Sequence, residues 1–184
     1  MSVWALVLAA GASRRLGRPK QLEVVRGRPL LAHALDAASA ADEVLVLTGA
    51  YAERMGGLLP DVPVLHIANW GRGMGHVLAC GVRALPPEAE AVVVLLADTP
   101  GIGASAVGEV IAAWHAGAGP VVSAEYDGVS GHPRLFDRSL FAELGDLEGD
   151  TGAASLLQRH PVALVPVLGD PVDIDDEETL ALAR

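Results

Sequence analysis

Apolar residues fall into short, nearly continuous runs: Val3 to Ala9, Val44 to Leu47, Val62 to Ile67, Ala91 to Ala97, Val121 to Tyr126 and Val162 to Leu168. Runs of this length without polar alternation are expected of strands covered on both faces, as in a mainly parallel sheet. Between them the apolar spacing lengthens to that of a helix. Leu30 to Ala40 places Leu30, Leu31, Ala34, Leu35 and Ala38 on one face, with Pro29 at its start. Further helices are predicted over Tyr51 to Leu59 (closed by Pro60), about His76 to Leu85, Ala104 to Ala116, Ser139 to Leu144 and Ala153 to Arg159. Strand and helix alternate, which predicts an α/β fold with a doubly wound, mostly parallel sheet. At 184 residues the expectation is a single domain over 1–184, burying about 70% of its unfolded surface.

Composition narrows the partners. The chain carries 23 acidic and 13 basic residues, a formal charge of −10, which argues against nucleic acid as a partner. The first apolar run is too short to span a bilayer and has no signal-peptide flank, so no membrane partner and a cytoplasmic location are expected. Cys80 is the only cysteine, which excludes an internal disulfide and a cysteine-based zinc site.

Against this acidic background, four of the 13 basic residues, Arg14, Arg15, Arg18 and Lys20, crowd into the loop that follows the first strand. Gly11 and Gly17 bracket that loop and allow backbone amides to turn toward an anion. Open α/β sheets bind ligands at the carboxyl ends of their strands, so a small polyanion such as a nucleoside triphosphate (NTP) is the expected ligand. The loop lacks the GKS or GKT ending of a P-loop and the GxGxxG spacing of a dinucleotide fold. Asp98 stands at the carboxyl end of the strongest apolar run, where it is either a carboxylate at the ligand site or a turn residue. Farther on, Asn69 to Gly75 (NWGRGMG) leads into a helix, and GHPRLF occupies 131–136. Here His132 either faces a ligand or hydrogen-bonds backbone. Asp150 reads as a helix cap, as does Asp175 or Asp176 before the terminal helix.

LAAGASRRLGRPKQL resembles the opening motif of the MobA-like nucleotidyltransferases, most closely the molybdenum-cofactor cytidylyltransferase branch with its LAAGxSxRxGxxK(x)L pattern. The resemblance continues in order through NxWxxGM, DxP, GHPxxF, GDxGA and DID. It implies a Rossmann-like fold of the nucleotide-diphospho-sugar transferase type. The implied activity is transfer of a nucleoside monophosphate, with CTP the leading donor, to the phosphate of a pterin-type acceptor, with Mg²⁺ and release of pyrophosphate. Carried over by position, Leu8, Ala9, Ala10, Gly11, Gly17, Gly73 and Met74 border the nucleotide, and Arg15 and Lys20 contact its phosphates. Gly131, His132 and Pro133 lie on the acceptor side. Asp98 holds the metal together with Asp173 or, alternatively, Asp175; Arg15, Lys20 and Asp98 form the catalytic set. A molybdenum hydroxylase apoenzyme is a candidate downstream partner. The chain departs from the family pattern at Gly75, His76 and Val77, at Ala97, and at Ala154, where an arginine is replaced and Arg134 or Arg159 would have to compensate. Two alternatives follow: a related transferase using GTP or another NTP on a different phosphorylated acceptor, and a non-catalytic carrier for molybdenum-enzyme maturation.

Overall fold

The computed structural model of the chain describes residues 2–59 and 61–184. Nine strands are β1 (Ser2–Ala9), β2 (Val24–Val25), β3 (Arg28–Pro29), β4 (Glu43–Thr48), β5 (Val64–His66), β6 (Ala89–Leu96), β7 (Val121–Tyr126), β8 (Val129–Asp137) and β9 (Val162–Pro166). The α-helices are α1 (Leu30–Ala38), α2 (Ala52–Met55), α3 (Met74–Arg83), α4 (Ala104–His115), α5 (Phe141–Gly145), α6 (Ala154–Arg159) and α7 (Glu177–Ala183). One seven-stranded sheet runs β5-β4-β1-β6-β8-β7-β9, and β2 and β3 form a separate ribbon. Only β8 opposes its neighbours; the β1–β4, β1–β6, β4–β5 and β7–β9 pairs are all parallel. The expected mostly parallel, doubly wound sheet is therefore the architecture observed.

Alternation along β1 divides its side chains between two cores. Val3, Ala5, Val7 and Ala9 pack with Leu31, Ala34, Val107 and Val110 from α1 and α4. Leu6 faces the other way, with Val77, Leu78 and Val82 of α3, Leu144 of α5 and Leu156 of α6. Each such fully buried branched side chain contributes roughly 2 kcal/mol over leaving it in water. A third, smaller cluster of Leu16, Val25, Leu30, Ile174 and Leu180 joins the loop after β1 to the chain's last helix.

The strand order reverses between β1 and β6: the connection from β1 leads outward to β4, while β6 lies on its other side. Such a switch point opens a crevice outside the carboxyl ends of the two strands. Three elements differ from the apolar pattern. The second predicted helix is four residues of α2 followed by a 3-10 turn over Gly56–Leu58, and Pro60 lies outside the described residues. Helix α3 begins at Met74, two residues earlier than the spacing predicts, because Gly73 at φ 108° turns the chain directly into it. Finally, GHPRLF is the centre of a strand, β8, inserted between β6 and β7. Glycine and proline in a strand interior argue against strand from sequence. Here the pairing of β7 with β8 jumps from Arg134 to Gly131, leaving His132 and Pro133 as a bulge that the ladder does not need to pair.

Candidate functional site

The crevice is a cleft of about 480 Å³. Its floor is Leu8 and Leu96, the last residues paired between β1 and β6, and its walls come from three loops. The loop after β1 supplies Ala10, Gly11, Arg14, Lys20 and Gln21; the α3 start supplies Trp70, Gly73 and Met74; and Asp98 follows β6. The C-terminal segment completes it. Ile174 N–H donates to the Asp98 carbonyl at 2.9 Å, and this crossing brings Asp173 and Asp175 beside Asp98.

The loop is held by its own groups. Gly17, at φ 70°, donates its N–H to the Ser13 carbonyl at 2.9 Å, and Ser13 Oγ accepts from Lys20 N–H at 3.2 Å. Buried Gln21 donates from Nε2 to the carbonyls of Ala9 and Gly11, both at 3.1 Å. Gln21 was not among the residues singled out from sequence, since nothing distinguishes a glutamine that satisfies loop carbonyls from one on a surface. Arg18 turns away from the cleft to pair with Glu23 and Glu177, fastening the loop to α7.

Lys20 is the only lysine in the chain. Its Nζ lies 2.5 Å from Asp98 Oδ2 and 2.8 Å from Asp175 Oδ1. Burial disfavours the ammonium, but the two carboxylates outweigh it and hold the Lys20 pKa above that of an ordinary lysine. The hydrogen bond from Lys20 in turn keeps Asp175 below the usual carboxylate range, against the opposing effect of its burial. Asp173 moves the other way: partial burial, then Asp98 and Asp175 nearby, push its carboxyl up. Arg15 is mostly exposed and reaches Asp175 Oδ2 at 2.9 Å from the rim.

These pairings change the electrostatic picture drawn from the loop alone. The crowded cations are not an open positive patch, for four aspartates (Asp98, Asp150, Asp173, Asp175) line the cleft against Arg14 and Lys20. A triphosphate would meet net negative charge there, so it needs cations brought with it. The donor set fits a hard divalent ion: Asp98 Oδ1 is buried without a hydrogen-bond partner, and Asp173 stands close enough to feel its charge. Among the described residues no group of three His, Cys, Asp or Glu side chains is arranged to hold a metal ion by itself.

Of the residues singled out from sequence, Leu8, Ala10, Gly11, Lys20, Gly73, Met74, Asp98, Asp173 and Asp175 meet in this cleft. Ala9 does not line it: its side chain is in the core beneath, and its carbonyl holds Gln21. Gly17 closes the loop behind. Gly131 and His132 line an adjoining pocket, and Pro133 is buried at its back. The expectation that Asp150 caps a helix is not met; α6 starts after Ala153 with no side-chain cap, and Asp150 instead packs beside Gly73 in the cleft wall. Asp176, by contrast, caps α7 in a reciprocal capping box with Thr179. His76, one of the departures from the family pattern, is buried, with Nε2 3.6 Å from Cys80 Sγ.

The family profile described as "MobA-like NTP transferase domain" matches residues 5–164. The chain belongs to this family. Nicotine blue oxidoreductase of Paenarthrobacter nicotinovorans is 32% identical over 190 residues, spanning 96% of this chain and 89% of that protein. Rv0371c of Mycobacterium tuberculosis H37Rv superposes with a TM-score of 0.89 at 30% identity, covering 99% of this chain and 96% of that one. Its complex with manganese superposes at 0.86 and 27% identity over 100% and 98%. A MobA-like NTP transferase fold therefore accounts for the whole sheet. Among the described residues no helix is long and apolar enough to cross a membrane.

Proposed function

We propose that this MobA-like chain is a Mg²⁺-dependent cytidylyltransferase that moves CMP from CTP to the phosphate of a molybdopterin-type cofactor. An acceptor phosphate oxygen forms a bond to the α-phosphorus, the bond from that phosphorus to the bridging oxygen breaks, and pyrophosphate leaves with the electron pair. The observation that carries the reading is the Asp98–Lys20–Asp175 cluster beside an unpartnered Asp98 oxygen at the carboxyl ends of β1 and β6.

Asp98 and Asp173 would hold the metal, which when bound supplies positive charge to the triphosphate. The chain's own part is positioning. Lys20, kept protonated by its neighbours, exchanges a carboxylate for phosphate oxygens as charge builds on the departing pyrophosphate. Gly11 and Gly73 present backbone rather than side chain to the nucleotide. A phosphate monoester is already largely ionised near neutral pH, so no protein base is required.

The test is pyrophosphate release with Mg²⁺ and the phosphorylated molybdenum cofactor, comparing CTP, GTP, ATP and UTP, with Asp98→Asn as control. Turnover confined to CTP and lost in the variant supports the reading; GTP turnover moves it to the related transferase. Cofactor binding without release favours a carrier. The full-length likeness to a protein named as an oxidoreductase supports one further reading, reduction of a ligand in this cleft. Oxidation of an added hydride donor, with matching reduction of an added acceptor and no pyrophosphate release, would replace the proposal with that one.

A further inference from the structure

Beside the cleft, a second pocket of about 360 Å³ opens at the bulge of β8, and Leu96 and Asp173 line both. Ile102, Tyr126 and Pro171 give it an apolar side; Ser130, His132 and Arg134 give it a polar one. Arg134 extends from β8, opposite Val94 on β6 and Ser123 on β7. Its Nε donates to Ser123 Oγ at 3.3 Å. That hydroxyl is itself fixed, 2.9 Å from Ser130 Oγ and donating to the Gly131 carbonyl at 2.7 Å. The stem of the fork is thus held while neither Nη group has an acceptor among the described residues.

Only two of the chain's arginines are half-buried. Arg18 pairs with two glutamates; Arg134 pairs with no carboxylate among the described residues, and burial is what acts on it, lowering its pKa. A partly desolvated guanidinium with both Nη groups unused is costly unless an anion completes it. Arg159, the other candidate to replace the cation lost at Ala154, is exposed and bound to Glu143 outside the pocket. His132 adds no competing charge: burial, then the neighbouring Arg134, push its pKa down to about 3, so it is a neutral wall.

We propose that Arg134 is the anion anchor of this second pocket, taking the phosphate of a phosphomonoester whose flat or apolar body lies against Ile102 and Tyr126. This rests on the nucleotidyl-transfer reading, in which the attacking group is such a phosphate. An anion held there lies beside Asp173, the carboxylate common to both pockets. A planar fork favours phosphate over a neutral hydroxyl and binds it bidentately.

The experiment has two arms. In steady-state turnover with the phosphorylated cofactor, Arg134→Met should raise the acceptor KM about 10- to 100-fold while the CTP KM is unchanged, and Arg134→Lys should recover part of the loss. An unchanged acceptor KM overturns the proposal and leaves the transferase reading intact. In the second arm, calorimetry with phenyl phosphate reads the pocket without turnover. Wild type and Lys20→Ala should bind it alike, and Arg134→Met and Arg134→Gln should bind it at least about tenfold more weakly, with thermal midpoints confirming that both variants fold. Binding that depends on Lys20 instead of Arg134 overturns the proposal, as does benzoate binding as tightly as phenyl phosphate. Arg134-dependent binding with no pyrophosphate release from any NTP would uphold the anchor while removing the transferase reading.

Discussion

The two halves of the crevice treat charge in opposite ways. On the side built by β1, two of the three cations at the cleft are already paired, Lys20 with Asp98 and Asp175 and Arg15 with Asp175, and only exposed Arg14 has no carboxylate partner among the described residues. On the side built by β8, Arg134 waits without a carboxylate. Binding on the first side is an exchange, in which metal and phosphate must separate pairs that already satisfy each other; on the second it is an addition. On the proposed reading, the difference accounts for how an acidic chain would host two anions. On that reading, the half that would take the more highly charged ligand is closed by pairs around Lys20 until a metal ion arrives, and the half that would take the smaller anion carries the half-buried unpaired charge.

The strongest way to break this comparison is at Lys20. Lys20→Ala should lower kcat about 100- to 1,000-fold, the effect of removing one preorganised charge from a site where charge develops. Lys20→Arg should not restore it, since a planar fork cannot occupy the point between Asp98 and Asp175 that an ammonium fills. Single-turnover rates with saturating CTP measure this directly, and a rate near wild type would mean that the exchange does not occur.

Gly73 tests whether the cleft's far wall is as rigid as its charges. With φ at 108°, an added Cβ would sit 2.3 Å from the Gly149 carbonyl carbon and 2.6 Å from Asp150 Oδ1. Gly73→Ala should therefore cost about 2–4 kcal/mol, combining backbone strain with displacement of the 149–150 loop. Urea unfolding measures it; a loss under about 1 kcal/mol would show that the loop moves aside without penalty.

How much of this was legible beforehand follows the range of the interactions. β1 and β6 declare themselves through unbroken apolar runs, and Asp98 is placed by the strand it follows. The charge balance was not legible: Arg14 to Lys20 cluster within seven residues, but the carboxylate that pairs Arg15 and Lys20, Asp175, lies 160 and 155 positions away. Local composition counts the cations and misses their partners. β8 was hidden for a different reason, because Gly131 and Pro133 argue against strand and only the register jump opposite Ser123 and Ala124 accommodates them. Asp150 failed as a cap because the turn over 151–153 separates it from α6, a spacing that sequence preference cannot see.

A smaller effect sharpens the comparison from the β8 side through pH. His132 is held at about 3 in the folded protein, against an ordinary 6.5. Between those values the unfolded chain binds more protons than the folded one, so His132 subtracts stability progressively as pH falls below about 6.5 and has no effect above it, with a limiting slope of about 1.4 kcal/mol per pH unit. Carboxylates contribute their own slope in the same range, so the quantity to measure is the difference between wild type and His132→Gln. Urea midpoints at pH 7, 6, 5 and 4 should diverge increasingly toward acid, with the variant losing less. Parallel curves would show that His132 is protonated where it stands, and Arg134 would then have a charged neighbour.

The smallest expected effect belongs to Arg15. Its side chain is 73% exposed and its pair with Asp175 is solvated, so losing it should leave the unfolding midpoint within experimental error. Asp175 retains its hydrogen bond from Lys20 at 2.8 Å, which supports the carboxylate without help from the rim. Arg15 should appear only when the nucleotide does: Arg15→Ala should raise the CTP KM severalfold at low salt and progressively less as salt is added, because an exposed cation acts through a screened field. A salt-independent change of the same size would mean that Arg15 leaves Asp175 and closes directly onto the phosphates, making the exchange on this side of the crevice involve two cations instead of one.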